Sequence, residues 1–276
     1  MATNKKVTRV KTDASKLREV EKERIENYQV SPENKKKATT NRIIAAILWA
    51  IAIGAELFTI FWVLKQDPII YWLLIVLIVA IAILAIAGSV LWKKSNRLDP
   101  APRSETVRFF IQNQLGAIIS VLAFLPLIIM IFMNKNMDGK QKGIAGAIAI
   151  VLLLVAGAMG IDTKPPALEN YAAQSAKIEQ LTGQDFVYWA KTSQKYHLYD
   201  DCSAINRDVT TEIFEGTVSD AFGSVNLDQD DPLCQICENR WVREHPDGVL
   251  GATSQATGTT GDQAATEGEN GSDTEK

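Results

Sequence analysis

Four residues in the last third of the chain have the types and spacing of a metal-ligand set. They are His197, Cys202, Cys234 and Cys237, arranged as His-x4-Cys, then 31 residues, then Cys-x2-Cys. A Cys-x2-Cys turn lets two thiolates converge on one ion at about 2.3 Å. A third thiolate and an imidazole complete a tetrahedron, and Cys3His is a closed structural zinc set. The expected cofactor is one structural Zn2+. His245 is the weaker substitute for His197, because it precedes a proline beside a polar tail.

Three other readings compete for the cysteines. A disulfide scaffold fits poorly, because the chain has 3 cysteines and the expected compartment is reducing. A thioredoxin-type Cys-x-x-Cys needs a βαβ setting, which Asp230-Asp231-Pro232 ahead of Cys234 does not suggest. Buried inert thiols stay open. Four protein ligands leave zinc no vacant position, which disfavours hydrolysis. The chain also lacks a Walker phosphate loop, Gly-x-Ser-x-Gly, His-Glu-x-x-His and a dinucleotide fingerprint. No catalytic or organic-cofactor residue is nominated, and the expectation is a protein that is not an enzyme.

A second candidate is Glu56, the lone carboxylate inside a long apolar run. It lies eight residues before Leu64, roughly 12 Å along a helix and close to mid-membrane. A charge at that depth is costly and is a functional hypothesis by default. Helical spacing puts Ala45, Ala52, Glu56 and Thr59 on one stripe, so the carboxyl should face other helices. The functional reading is a proton or cation site. The bland one is a protonated Glu bonded to a helix neighbour or a buried serine, and it is the stronger, because no other span carries an interior ionisable residue.

These residues are positioned by two different kinds of structure. Apolar runs at 43–64, 69–92, 115–133 and 143–161 are each long enough to cross a bilayer as a helix. Four such runs within 41–161 leave no amphipathic elements to cover them, which excludes a single soluble globule. Pro126 lies inside the third run, and Lys65-Gln66-Asp67-Pro68 forces the first two into an antiparallel hairpin. Ala46, Ala50 and Gly54 recur every four residues on the first run, and Gly143, Ala147, Ala156 and Gly160 form a similar set on the fourth. Small residues at that spacing allow close helix approach, here read as packing within one bundle in preference to homo-oligomerisation.

Charge is sorted along the chain. Residues 1–42 carry net +6, residues 43–161 net +4 and residues 162–276 net −13. The basic front favours anionic lipid headgroups. The acidic back repels phosphate backbones and argues against nucleic acid. There is no cleavable signal peptide pattern ahead of the first run. The N-terminal segment holds 12 Lys/Arg and the loop Lys93–Arg108 five, against one in Lys65–Pro68 and three in Asn134–Lys142. The positive-inside rule then puts both termini in the cytoplasm of a multi-pass plasma-membrane protein. Phe61, Trp62, Tyr71 and Trp72 mark the outer face, and Trp92, Phe109 and Phe110 the inner one.

Residues 1–40 read as a polar segment, with a charged helix over Asp13–Tyr28 stopped by Ser31-Pro32. Residues 162–183 read as a linker, with Leu168, Tyr171, Ser175, Ile178 and Leu181 on one face of a helix ended by Gly183. That helix could lie on the bilayer or on the next domain. Residues 184–244 read as the zinc domain. Its expected elements are a hairpin of Phe186–Ala190 with Tyr196–Tyr199, a short helix capped by Thr217 and Asp220, and a last helix from near Cys234. Residues 245–276 should be a disordered acidic tail. The fold class is a membrane all-α four-helix bundle plus a small α+β zinc-binding domain.

Val187-Tyr188-Trp189, Lys195-Tyr196-His197, Cys202, Gly216-Thr217, Ala221 and Cys234-x2-Cys237 together resemble a small bacterial module, the Ada-like zinc-binding domain. The resemblance is confined to that domain and implies that His197, Cys202, Cys234 and Cys237 are its ligands. The leading expectation is a multi-pass protein whose spans anchor a zinc-stabilised cytoplasmic interaction module, with a protein partner for its acidic surface. The alternatives are a small transporter or channel with Glu56 in the path, and a zinc or redox sensor.

Overall fold

The computed structural model describes residues 22–25 and 27–246. Most of the charged helix expected from Asp13, and nearly all of the tail expected from residue 245, lie outside these residues. Of the former, residues 22–25 and 27 are helical.

The first long helix, α1, runs Pro32–Phe61, so it starts well ahead of the apolar residues at Ile43. Ser31 accepts from the Asn34 backbone N–H, Pro32 occupies the first turn and Glu33 adds a favourable negative charge there. Ser31-Pro32 therefore begins a helix as well as ending one. A 3-10 turn at Val63–Lys65 leads to α2, Tyr71–Leu98. Next come α3, Thr106–Met133 with Pro126 inside it, and α4, Gly139–Gly160, opened by a capping box of Asp138 and Gln141.

α1 and α2 are antiparallel: Trp49 donates to the Ala85 carbonyl and Arg42 pairs with Asp99. α3 and α4 cross at glycine. A Cβ on Gly160 would lie 2.5 Å from the Gly116 carbonyl carbon, so only hydrogen fits there. The shared core includes Ala52, Leu74, Ile78, Phe124, Leu127 and Ala149.

All four helices are long and apolar enough to cross a membrane, consistent with a membrane protein. Their outward faces remain apolar, with Ile47, Ile83, Leu122 and Leu154 all exposed. A water-soluble bundle would put charge on those faces.

One expectation is corrected. Ala46, Ala50 and Gly54 do not pack within the bundle: all three are exposed, and a Cβ on Gly54 would touch nothing. The buried face of α1 is Ala45, Trp49, Ala52, Glu56 and Thr59. On α4 the small set splits, with Ala156 and Gly160 buried and Gly143 and Ala147 exposed.

After α4 the chain forms a small, mainly helical module. Its elements are α5 (Leu168–Thr182), β1 (Val187–Ala190), β2 (Ile213–Gly216), α6 (Val218–Ser224) and α7 (Gln235–Glu244). α5 ends at Gly183, whose φ of 81° suits a residue without a Cβ. The helix lies on the module: Tyr171 stacks on Phe222 at 4.2 Å, and Ile178 shares a core with Val187, Trp189 and Tyr196.

The expected hairpin is also corrected. β1 pairs antiparallel with β2, in the register Val187 to Gly216 through Ala190 to Ile213. Tyr196 and His197 contribute only single bridges, to Leu233 and Tyr188.

The module docks on the bundle end that carries the start of α1. Gly223 of α6 sits against Leu98 of α2, and the Asn34 amide donates to Asp220 at 2.8 Å. Tyr171 donates to the Arg97 carbonyl at 2.9 Å. The junction is therefore polar at several points and is shared by α1, α2, α5 and α6.

Candidate metal centre

Each ligand is set by a distinct piece of backbone. His197 exchanges two hydrogen bonds with Tyr188 of β1, at 2.8 and 2.7 Å. Its neighbour Tyr196 donates to Pro232 and accepts from the Cys234 N–H at 2.9 Å. That isolated parallel bridge, Tyr196 to Leu233, brings the segment carrying Cys234 beside the histidine. Cys202 sits in a tight turn, its carbonyl accepting from Ile205 and Asn206. Cys234 is the N-cap of α7 and Cys237 lies in its first turn. The first turn of α7, whose free backbone N–H groups carry partial positive charge, thus lies beside the cluster.

The structure brings all four predicted ligands together. One ligand atom from each of His197, Cys202, Cys234 and Cys237 lies within 4.8 Å of every other, and all four residues are buried. Cys237 Sγ is 3.7 Å from His197 Nδ1. A tetrahedron with arms near 2.1–2.3 Å has edges of about 3.6–3.8 Å, so this group could hold a metal ion. Ala190, Ile205, Leu198 and Ile213 pack around it, while His197 and Cys234 also line a cavity of about 440 Å³ beside Lys195 and Arg207.

Electrostatics point the same way. Burial pushes the Cys237 thiol up to about 12, and the adjacent Cys202 adds to the shift. Three thiolates in this apolar shell need a cation. Burial lowers His197 to about 4, with help from the Arg207 charge, so the imidazole is neutral at pH 7. Neutral imidazole is the form that binds a metal.

The competing readings of the cysteines fare differently. All three are free, so no disulfide forms. The Cys-x2-Cys segment follows a single bridge beside a two-stranded antiparallel sheet, which is not a βαβ setting. His245 stands apart from the cluster, exposed and stacked on Trp241 at 3.8 Å.

A clamp behind the cluster was not anticipated. Arg240 of α7 bonds Asp201, next to Cys202, at 2.7 Å and lies 4.0 Å above the Tyr199 ring. Tyr199 in turn donates to Glu244 at 2.7 Å. Lys177 of α5 pairs with Glu238 of α7 at 2.8 Å. The only clue in the sequence was the i,i+4 spacing of Arg240 and Glu244.

Glu56 faces the bundle interior, 3 % exposed, and its Oε1 has no hydrogen-bond partner. No buried serine of the long helices answers it: Ser89 donates to Ala85, Ser95 to Trp92 and Ser120 to Gly116, each on its own helix.

Comparisons of the chain with family models, with curated proteins and with solved structures return no match.

Proposed function

We propose that this chain is a multi-pass membrane protein in which four helices anchor a zinc-stabilised, Ada-like interaction module on the cytoplasmic side, without catalytic activity. The observation that carries the reading is the closed ligand set: four buried donors within 4.8 Å of one another. Three thiolates and an imidazole favour zinc over harder cations, and four protein ligands satisfy it without an open position. The module surface has 5 Lys/Arg against 12 Asp/Glu over residues 184–244, which suits a basic protein partner and disfavours nucleic acid.

The test is metal analysis of the purified full-length protein beside Cys234→Ser. One zinc per chain, lost in the variant together with module folding, supports the proposal. A metal-free protein whose module stays folded in both forms ends it. Capture of a basic protein only by the metal-loaded form would then extend the reading to partner binding.

A second reading rests on the buried Glu56 carboxyl, whose Oε1 has no hydrogen-bond partner. In it, Glu56 lies on a proton or cation path through the bundle. Vesicles containing the reconstituted protein would show a flux abolished by Glu56→Gln. Equal flux in both proteins would sink it.

A further inference from the structure

A cleft of about 660 Å³ opens where α1, α2 and α6 meet. Lys36, Lys37, Thr40 and Asn41 of α1 form one wall, Lys94 of α2 a second, and Gly223 and Ser224 of α6 the floor. Glu33 also lines it and pairs with Lys37 at 2.6 Å. Lys36 and Lys94 make no ion pair among the described residues, so the cleft keeps two uncompensated positive charges.

Depth and surroundings select the occupant. Lys36, Lys37 and Thr40 precede Ile43, where the apolar run begins, by three to seven residues, about 4–10 Å along the helix. Lys94 follows the interfacial Trp92 by two residues. That depth is the headgroup layer, about 5–8 Å thick beyond the hydrocarbon. One turn deeper on each helix stand exposed apolar side chains, Ile44 and Ile47 on α1 and Val90 on α2. A polar, cationic cradle thus continues directly into an apolar wall that faces outward.

We propose that this cleft binds the headgroup of an anionic phospholipid, whose acyl chain lies along Ile44, Ile47 and Val90. The inference rests on the reading that the four helices cross a bilayer. A soluble phosphate would use the lysines and leave the apolar wall unused. The site also borders Asn34 and Leu98, so a bound lipid sits beside the joint between module and bundle.

The test counts lipids retained by the full-length protein in detergent, by native mass spectrometry, with phosphatidylglycerol or phosphatidylcholine added. Phosphatidylglycerol should be kept selectively. The pair Lys36→Gln with Lys94→Gln should weaken its retention roughly thirtyfold, each lysine giving about a fivefold factor. Lys135→Gln with Lys140→Gln, at the far end of the bundle, should leave it unchanged. No preference for phosphatidylglycerol overturns the proposal. So does equal weakening by both pairs, which means diffuse surface attraction, or displacement by glycerol phosphate at equal concentration, which means a soluble ligand. If the Lys36/Lys94 pair also lowers thermal stability, Lys36→Arg with Lys94→Arg decides: restored retention supports the site and its absence refutes it. Protein that stays soluble without detergent would instead refute the membrane reading itself.

Discussion

The side-chain amide of Asn34 donates to the carboxylate of Asp220 at 2.8 Å, across 186 residues of sequence. Asn34 is buried in the first turn of α1, and Asp220 caps α6 through Thr217. One hydrogen bond thus joins the start of the first long helix to the fold of the C-terminal module.

Replacing Asn34 by Ala should loosen this joint. A bond to a charged, partly buried group contributes about 1.5–3 kcal/mol. Asn34→Asp should cost more, because two carboxylates would then face each other. Thermal unfolding and limited proteolysis at the α4–α5 connection would report the change. Unchanged cleavage in both variants would show that the bond holds nothing together.

Metal removal should unfold the module and spare the bundle. The shell around the cluster is small, so the stability of the module would depend on a bound ion. A strong chelator should expose Trp189, now 3 % exposed, and shift its fluorescence to the red. Far-ultraviolet dichroism should fall only in part, since the four long helices do not depend on the site. A spectrum insensitive to chelation, with metal demonstrably gone, would count against a structural role.

Two glycines in the membrane part should respond oppositely. Gly160→Val drives a side chain into the Gly116 backbone and should cost about 1–3 kcal/mol. Gly54→Ala meets open space inside α1 and should stabilise the helix, by up to about 1 kcal/mol. Melting temperatures of both variants in one detergent would check the contrast. Equal losses would mean that Gly54 has a partner of its own.

Alkaline pH should detach the module through Tyr171. Its hydroxyl donates to the Arg97 carbonyl at 2.9 Å, and complete burial holds the phenol well above its ordinary value of 10. The folded chain keeps this proton while the unfolded chain loses it near pH 10. Stability is therefore present below about pH 10 and falls as pH rises beyond it. Tyr171→Phe removes the ionisation and should flatten the slope of stability between pH 9 and 11. Identical slopes in the two proteins would refute the assignment.

Composition and spacing carried most of what was legible. Long apolar runs announce membrane-crossing helices without any tertiary information, and Cys-x2-Cys with His-x4-Cys converges because metal chemistry tolerates few arrangements. Gly183 and the Thr217–Asp220 box marked helix ends correctly, since capping is local. The partner of β1 was not legible. Tyr196–Tyr199 is nearer in sequence, but it is committed to bridging β1 to Leu233, and Ile213–Gly216 takes the ladder. The β-branched and aromatic pair Ile213-Phe214 ahead of Gly216 was the available signal. The Ala46, Ala50, Gly54 stripe misled for a different reason. In a helix apolar all round, periodicity locates small residues without telling a protein-facing side from a lipid-facing one.

The Asn34–Asp220 contact also sets an order of manufacture. At about 5–20 residues per second, roughly 10–40 s separate the synthesis of its two ends. All four long helices emerge within that interval, while Asn34 and Leu98 still lack the cover that α6 provides. A nascent or truncated chain therefore displays a sticky, half-polar collar at the start of α1, and only a finished chain conceals it.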